Sequence, residues 1–260
     1  MNTILYEVND NIAKITFNRP NALNAINKEM LNELDQVINE IKADDNIHFV
    51  LFTGVGKAFI AGADISEMAH MNTSEAKAYG KFGADVFRKI ELLKKVTIAT
   101  INGYCLGGGN ELAMACDIRI ASEKAKFGQP EVSLGITPGF SGTIRLPRIV
   151  GVSKAKELLF TGKMIDAKEA LTIGLVSSVE PLESLNEKVH HLIHSINKNS
   201  LHAVLSTKQV VDEGIEGSLD DGIELETVHF SNCFSFYDQK EGMNAFIEKR
   251  KAKFNHNKEE

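Results

Sequence analysis

Apolar positions along this chain follow two rhythms, one alternating or continuous over short runs and one repeating by threes and fours. Residues 4–8 and 12–17 read as strands joined by a turn at Asn9-Asp10-Asn11, and Arg19-Pro20-Asn21 breaks the second. Met30, Leu31, Leu34, Val37, Ile38 and Ile41 then mark one face of a helix that Asn27 can cap and Asp44-Asp45-Asn46 ends. Phe49-Val50-Leu51-Phe52-Thr53 is an apolar strand closed by Gly54-Val55-Gly56. Lys57-Ala58-Phe59-Ile60 leads into residues 61–68, where Asp64 and Glu67 stand three apart as in a capping arrangement. A proline-free helix is expected over residues 74–93.

The pattern then reaches its most unusual stretch, Asn102-Gly103-Tyr104-Cys105-Leu106-Gly107-Gly108-Gly109-Asn110-Glu111-Leu112. A β-branched strand, Val96-Thr97-Ile98-Ala99-Thr100-Ile101, precedes it, and good helix formers follow. The three consecutive glycines are therefore expected where a strand ends and a helix begins. A helix start leaves backbone N–H groups unpaired and partly positive, and glycine lets a ligand approach them. Neither a dinucleotide fingerprint nor a phosphate-binding Gly-Lys-Ser/Thr is present. The residues alone leave two readings open: a site for a negative oxygen beside the Glu111 carboxylate, or tight packing with an acid complementing the helix dipole.

Further along, residues 117–121 read as a strand, and residues 125–132 as a short extended segment because Pro130 holds its predecessor out of helix. Helices are expected over 141–149, 154–160 and 167–173, with Gly162 and Gly174 as stops, and a last strand over 175–179. Beyond Leu182 only helical patterns appear, over 185–196, 202–211, 219–233 and 240–252. The composition shift at Asn197-Lys198-Asn199-Ser200 divides the chain into a core, 1–197, and a helical region, 198–260. That region carries Phe230, Phe234, Phe236, Tyr237, Phe246 and Phe254, more rings than a small helical appendage hides alone, which favours packing on the core or on another subunit. An ordinary helical core is the other reading.

With 260 residues, 43% of them hydrophobic, the chain has ample material for a core. No apolar run is long enough to span a membrane, and a net charge of −6 argues against nucleic acid as a partner. The three cysteines show no paired spacing, so neither a disulfide framework nor a zinc cage is expected. His190 and His194 stand one helical turn apart, but the zinc-protease pattern is missing and a solvated helix face is the expectation. The opening residues lack the regions of a secretory signal, and a cytoplasmic location is expected.

Three stretches together resemble the crotonase, or enoyl-CoA hydratase/isomerase, family: residues 57–65, residues 102–113, and Phe127-Gly128-Gln129-Pro130-Glu131-Val132-Ser133-Leu134-Gly135-Ile136-Thr137-Pro138-Gly139. Residues 18–25 and 241–250 add to the likeness, which covers nearly the whole chain in order and is greatest to the bacterial short-chain members that act as 3-hydroxybutyryl-CoA dehydratases. The resemblance implies an α/β fold, a spiral of repeated β-β-α units followed by a helical trimerisation region, assembled as a homotrimer or a homohexameric dimer of trimers. It implies reversible syn hydration of a trans-2-enoyl-CoA thioester, with Glu111 and Glu131 as catalytic carboxyls and the backbone amides of Ala63 and Gly108 as an oxyanion hole. Ala22, Leu23, Ala61, Asp64, Ile65, Phe230 and Lys249 would contact coenzyme A, which is part of the substrate. No metal or separate cofactor is implied. Asn21 and Ser66 depart from the lysines that many relatives use on the coenzyme A phosphates, and Ser141 and Ile144 depart from the usual Gly-Gly-Thr-Gln-Arg form. Alternatives from the same scaffold are an enoyl-CoA isomerase and a non-catalytic interaction protein.

Overall fold

The computed structural model describes residues 1–255. The chain divides into two compact units, Met1–Val189 and the residues from His190 onward. Each is described by itself.

The first unit opens with β1 (Ile4–Asn9) and β2 (Ile12–Phe17), an antiparallel hairpin turned at Asp10 in the left-handed region. Helix α1 (Lys28–Ala43) starts where the Asn27 side chain accepts the Met30 N–H, and it buries all six apolar positions of its expected face. Next come β3 (Phe49–Gly54), β4 (Ala58–Ala61), the single-turn α2 (Ile65–Met68) and α3 (Thr73–Glu91), which Asn72 and Glu75 begin with a reciprocal capping box. The chain continues through β5 (Val96–Ile101), β6 (Tyr104–Leu106), α4 (Gly108–Met114), β7 (Ile118–Ser122) and β8 (Lys126–Gly128). A 3-10 turn over Glu131–Leu134 precedes α5 (Gly142–Val150), α6 (Val152–Thr161), β9 (Ile165–Asp166), α7 (Ala167–Thr172) and β10 (Ser178–Glu180).

Two sheets result. One has the order β1-β2-β3-β5-β7-β10, parallel apart from the opening hairpin; the other has the order β4-β6-β8-β9. Successive strands alternate between them: β3, β5 and β7 enter the first, while β4, β6 and β8 enter the second. Each strand pair is followed by helix, which is the repeated β-β-α unit. Rings tie the sheets together, since Phe17 of β2 meets Phe59 of β4 edge to face with centroids 5.5 Å apart.

Several expectations are corrected here. The three glycines do stand where a strand ends and a helix begins, but that strand is Tyr104–Leu106 of the second sheet and not Val96–Ile101. Of the expected extended segment 125–132, Lys126–Gly128 is strand, but from Glu131 the chain coils into a 3-10 turn. The last strand is Ser178–Glu180, because Gly174 turns left-handed after α7 and the Leu175 N–H still bonds back to Ala170. The two-residue β9 has no counterpart in the pattern reading.

Helix α8 (Leu185–Ile196) contains the unit boundary, and the second unit holds α9 (Leu201–Gly214), α10 (Leu219–Cys233) and α11 (Tyr237–Ile247). Within it α9 and α10 pack together, and His202 stacks on Phe236. The last helix ends at Ile247, short of the expected 252, because Lys249 turns left-handed. Glu241 then accepts both terminal guanidinium nitrogens of Arg250, at 2.6 and 2.9 Å, and the Lys253 N–H. No described helix is long and apolar enough to cross a membrane, and no group of three or more His, Cys, Asp or Glu side chains among the described residues is placed to hold a metal ion.

Candidate active site

A cavity of about 640 Å³ lies in the first unit, lined wholly by residues between Ala61 and Phe140. One wall is the start of α4. Gly107, at φ 48° and ψ −123°, turns the chain from β6 into the helix. Gly109 seats that helix against β4: a methyl group there would stand 2.2 Å from the Ile60 carbonyl oxygen. Only glycine permits both features. Gly108 is the first residue of the helix, so its N–H has no acceptor within α4.

Ala63 lies beside it on the cavity lining. The Ile26 N–H donates to the Gly62 oxygen at 2.9 Å and the Asp64 N–H to the Ile26 oxygen at 2.7 Å, a parallel bridge around Ala63. Successive amides of an extended chain alternate in direction, so the Ala63 N–H points away from Ile26. Ala63 and Gly108 both line the cavity.

Glu111 occupies the first turn of α4 and is only 1% exposed. Its Oε1 accepts the Phe140 N–H at 2.8 Å and the Gly142 N–H at 2.6 Å. Burial pushes its carboxyl up to about 7, with the nearby Glu131 charge adding to the rise. The two amides and the Arg145 guanidinium oppose the shift. Glu131, at the start of the 3-10 turn, also lines the cavity, and burial raises its pKa too. Its Oε2 has no protein hydrogen-bond partner, while its Oε1 sits where a methyl at Gly107 would fall, 2.8 Å away. Two carboxyls twenty positions apart in sequence therefore share one cavity.

Apart from Thr137 and the Tyr79 hydroxyl, the remainder of the lining is apolar. Tyr79 and Phe140 meet with centroids 5.3 Å apart, and the Tyr79 hydroxyl donates to the Ile26 carbonyl at 3.2 Å. Met68, Leu134 and Ile136 complete a surface suited to a short hydrocarbon chain.

The Enoyl-CoA hydratase/isomerase family model matches residues 7–257. The chain belongs to the enoyl-CoA hydratase/isomerase family. It is 51% identical to a short-chain-enoyl-CoA hydratase of Clostridium acetobutylicum, over 96% of this chain and 97% of that protein. It is 46% identical to a crotonyl-CoA hydratase of Syntrophomonas wolfei over the same shares of the two chains. The crystal structure of an enoyl-CoA hydratase from Bacillus anthracis superposes with a TM-score of 0.93 at 38% identity, covering 98% of this chain and all of that one.

Of the other residues expected to contact substrate in this family member, Ala61 and Ile65 line the cavity. Ala22 and Leu23 do not, although the Leu23 carbonyl accepts the Ala61 N–H at 3.1 Å. Asp64 is also outside the lining. It caps α2 and pairs with Arg19 at 2.9 Å. The expected reciprocal capping by Glu67 is replaced by a bond that Glu67 accepts from the Lys28 N–H. Phe230 and Lys249 belong to the second unit.

Pattern reading passed over three features of the site. Ser141 lies at φ 85° between the two residues whose N–H groups hold Glu111. Arg145, 8% exposed, donates to the Phe140 carbonyl at 3.1 Å. Gln129 is buried against Gly142 with no protein partner for either amide atom.

Proposed function

We propose that this protein catalyses reversible syn hydration of short-chain trans-2-enoyl-CoA thioesters, with crotonyl-CoA as the test substrate. The observation that carries the reading is the meeting of Glu111 and Glu131 in one cavity that Ala63 and Gly108 also line. The short-chain and crotonyl-CoA hydratases among its relatives support the substrate class.

Ionised Glu111 takes a proton from water as the water oxygen bonds to C3. The C2–C3 π electrons move toward the thioester, and negative charge collects on its oxygen. The Ala63 and Gly108 N–H groups stabilise that oxygen, at about 3–4 kcal/mol per donor. Protonated Glu131 then gives its proton to C2. Dehydration runs the same steps backwards. Burial raises both carboxyls; at Glu111 two amides and a guanidinium oppose the rise, whereas at Glu131 only a backbone hydrogen bond does. The two carboxyls contribute roughly 10²- to 10⁴-fold each. Coenzyme A enters as part of the substrate, so no separate cofactor takes part.

Ala22, Leu23, Ala61, Asp64 and Ile65 flank the coenzyme in this reading. Phe230 and Lys249 reach it from a neighbouring subunit of a homotrimer or a dimer of trimers, in the cytoplasm. Lys249 supplies charge for the phosphates where Asn21 and Ser66 do not.

The direct test is purified protein with crotonyl-CoA, following loss of the conjugated-thioester absorbance and the stereochemistry of the product. Steady loss with formation of a 3-hydroxyacyl-CoA supports hydration. Conversion of a 3-enoyl-CoA without hydration of crotonyl-CoA would assign the isomerase activity instead. No turnover of either would leave a binding role on the scaffold.

A further inference from the structure

The chain on either side of Ser141 contains three successive peptide groups with different duties. The first and third donate their N–H groups, from Phe140 and Gly142, to Glu111 Oε1. The middle one turns its carbonyl, that of Phe140, to the Arg145 guanidinium. Arg145 is itself held: Nε and the second terminal nitrogen donate to the two carboxylate oxygens of Glu91, at 3.3 and 3.0 Å. The Arg145 side chain is 9% exposed and that of Glu91 24%, so the guanidinium is the buried end of the pair. Ser141 adopts a left-handed backbone that side chains other than glycine's seldom take, and such a conformation persists only where its surroundings enforce it.

We infer that Arg145 and Glu91 form a positioning relay for Glu111, with Arg145 gripping the central peptide of the Phe140–Gly142 turn and Glu91 orienting the guanidinium. The relay rests on the hydration reading for its effect on rate, although its effect on the carboxyl is independent of that reading. Neither residue lines the cavity, so both act through the turn and through charge.

The groups around Glu111 are few. Arg145 faces it from α5 and Glu131 from the 3-10 turn, and both act on its carboxyl. Tyr79 of α3 shares the cavity, and Glu91 and Arg88 of α3 lie behind Arg145. Burial works against the charge on Glu91, but the Arg145 and Arg88 guanidinium groups outweigh it and keep Glu91 below the usual carboxylate range. Strand β4 brings no titratable side chain to α4, and β6 brings Tyr104, which is exposed, and Cys105, whose thiol burial keeps neutral.

This arrangement yields opposite signs for two substitutions. Arg145→Gln removes a positive charge that favours ionised Glu111, so the acid limb of the kcat/KM profile moves up by about one pH unit. Glu91→Gln leaves the guanidinium without its counter-charge, so the same limb moves down. Arg145→Lys keeps the charge but loses the planar fork, so kcat falls at every pH while the limb stays in place. In all three, kcat changes more than KM, because no coenzyme contact is touched. A purely structural role predicts lower rates with an unshifted limb in both Gln variants, and that result overturns the relay. The ¹³C resonance of the Glu111 carboxyl, identified by its absence from Glu111→Gln, gives a second measurement that needs no turnover. Opposite displacement of its midpoint in folded Arg145→Gln and Glu91→Gln protein supports the relay, and unmoved midpoints overturn it. An inactive wild-type protein with displaced midpoints would reject hydration while leaving the relay intact.

Discussion

Glu111 and Glu131 face the same cavity from two differently built walls. Glu111 stands on a helix, nearly sealed from solvent, with two backbone amides on one oxygen. Glu131 stands on a 3-10 turn with one carboxylate oxygen lacking any protein partner and the other resting against glycine. One carboxyl is held and the other is left room. Two groups of the same chemical type can then hold different protonation states at one pH, which an exchange of water's two protons requires.

The strongest way to break this contrast is to remove each carboxyl. Glu111→Gln and Glu131→Gln are each expected to lower turnover at least about a hundredfold in folded protein. Near-normal rates in both, measured with crotonyl-CoA, would remove the mechanism. The wall they share comes next. Gly108→Pro deletes one donor N–H and is expected to cost on the order of a hundredfold in kcat. Gly108→Ala is the control, since a methyl there meets Ile26 and Phe140 at 3.0–3.2 Å while the donor remains. Equal losses in the two variants would assign the effect to crowding.

A smaller change tests the Glu131 side alone. Gly107→Ala places a methyl 2.8 Å from Glu131 Oε1 and strains a backbone at φ 48°. It should lower kcat by about tenfold and stability by about 1–2 kcal/mol, with the Glu111 limb of the pH profile unmoved. A displaced limb would mean the two walls are not independent.

The smallest effect is on stability. Glu111 has its carboxyl raised from 4.5 to about 7 in the folded protein. Such a group contributes its full stability below the unfolded value and loses it as pH climbs through the folded one. Glu111→Gln does not titrate, so it should match wild type near pH 4.5 and exceed it above pH 7, by roughly 3 kcal/mol at most. Denaturant titrations at pH 5 and pH 8 check this, and an equal difference at both would contradict the shift.

Long elements were legible because their period had room to repeat. The apolar face of α1, the continuous strands β3 and β5, and the helices α8 and α10 all follow from residue spacing. The second sheet was not, because β6, β8 and β9 have only two or three residues each, too few to show alternation. For that reason the β-β-α repeat came from resemblance and not from pattern. The site divides the same way. Glu111 stood out beside three glycines, whereas its meeting with Glu131 depends on how β8 and α4 are placed in space. Ser141 and Arg145 were visible only as positions of the family's Gly-Gly-Thr-Gln-Arg form; that one is left-handed and the other grips the turn holding Glu111 has no signal in the pattern.

The contact at Gly109 has a last consequence. Helix α4 and strand β4 approach there with no side chain of Gly109 between them, so their spacing owes little to rotamer choice. In the proposed chemistry, the face that meets the thioester is then a fixed gauge, the same for every acyl tail. Discrimination among tails is left to other side chains of the lining, such as Met68, Leu134 and Ile136, which can be exchanged without resetting the gauge.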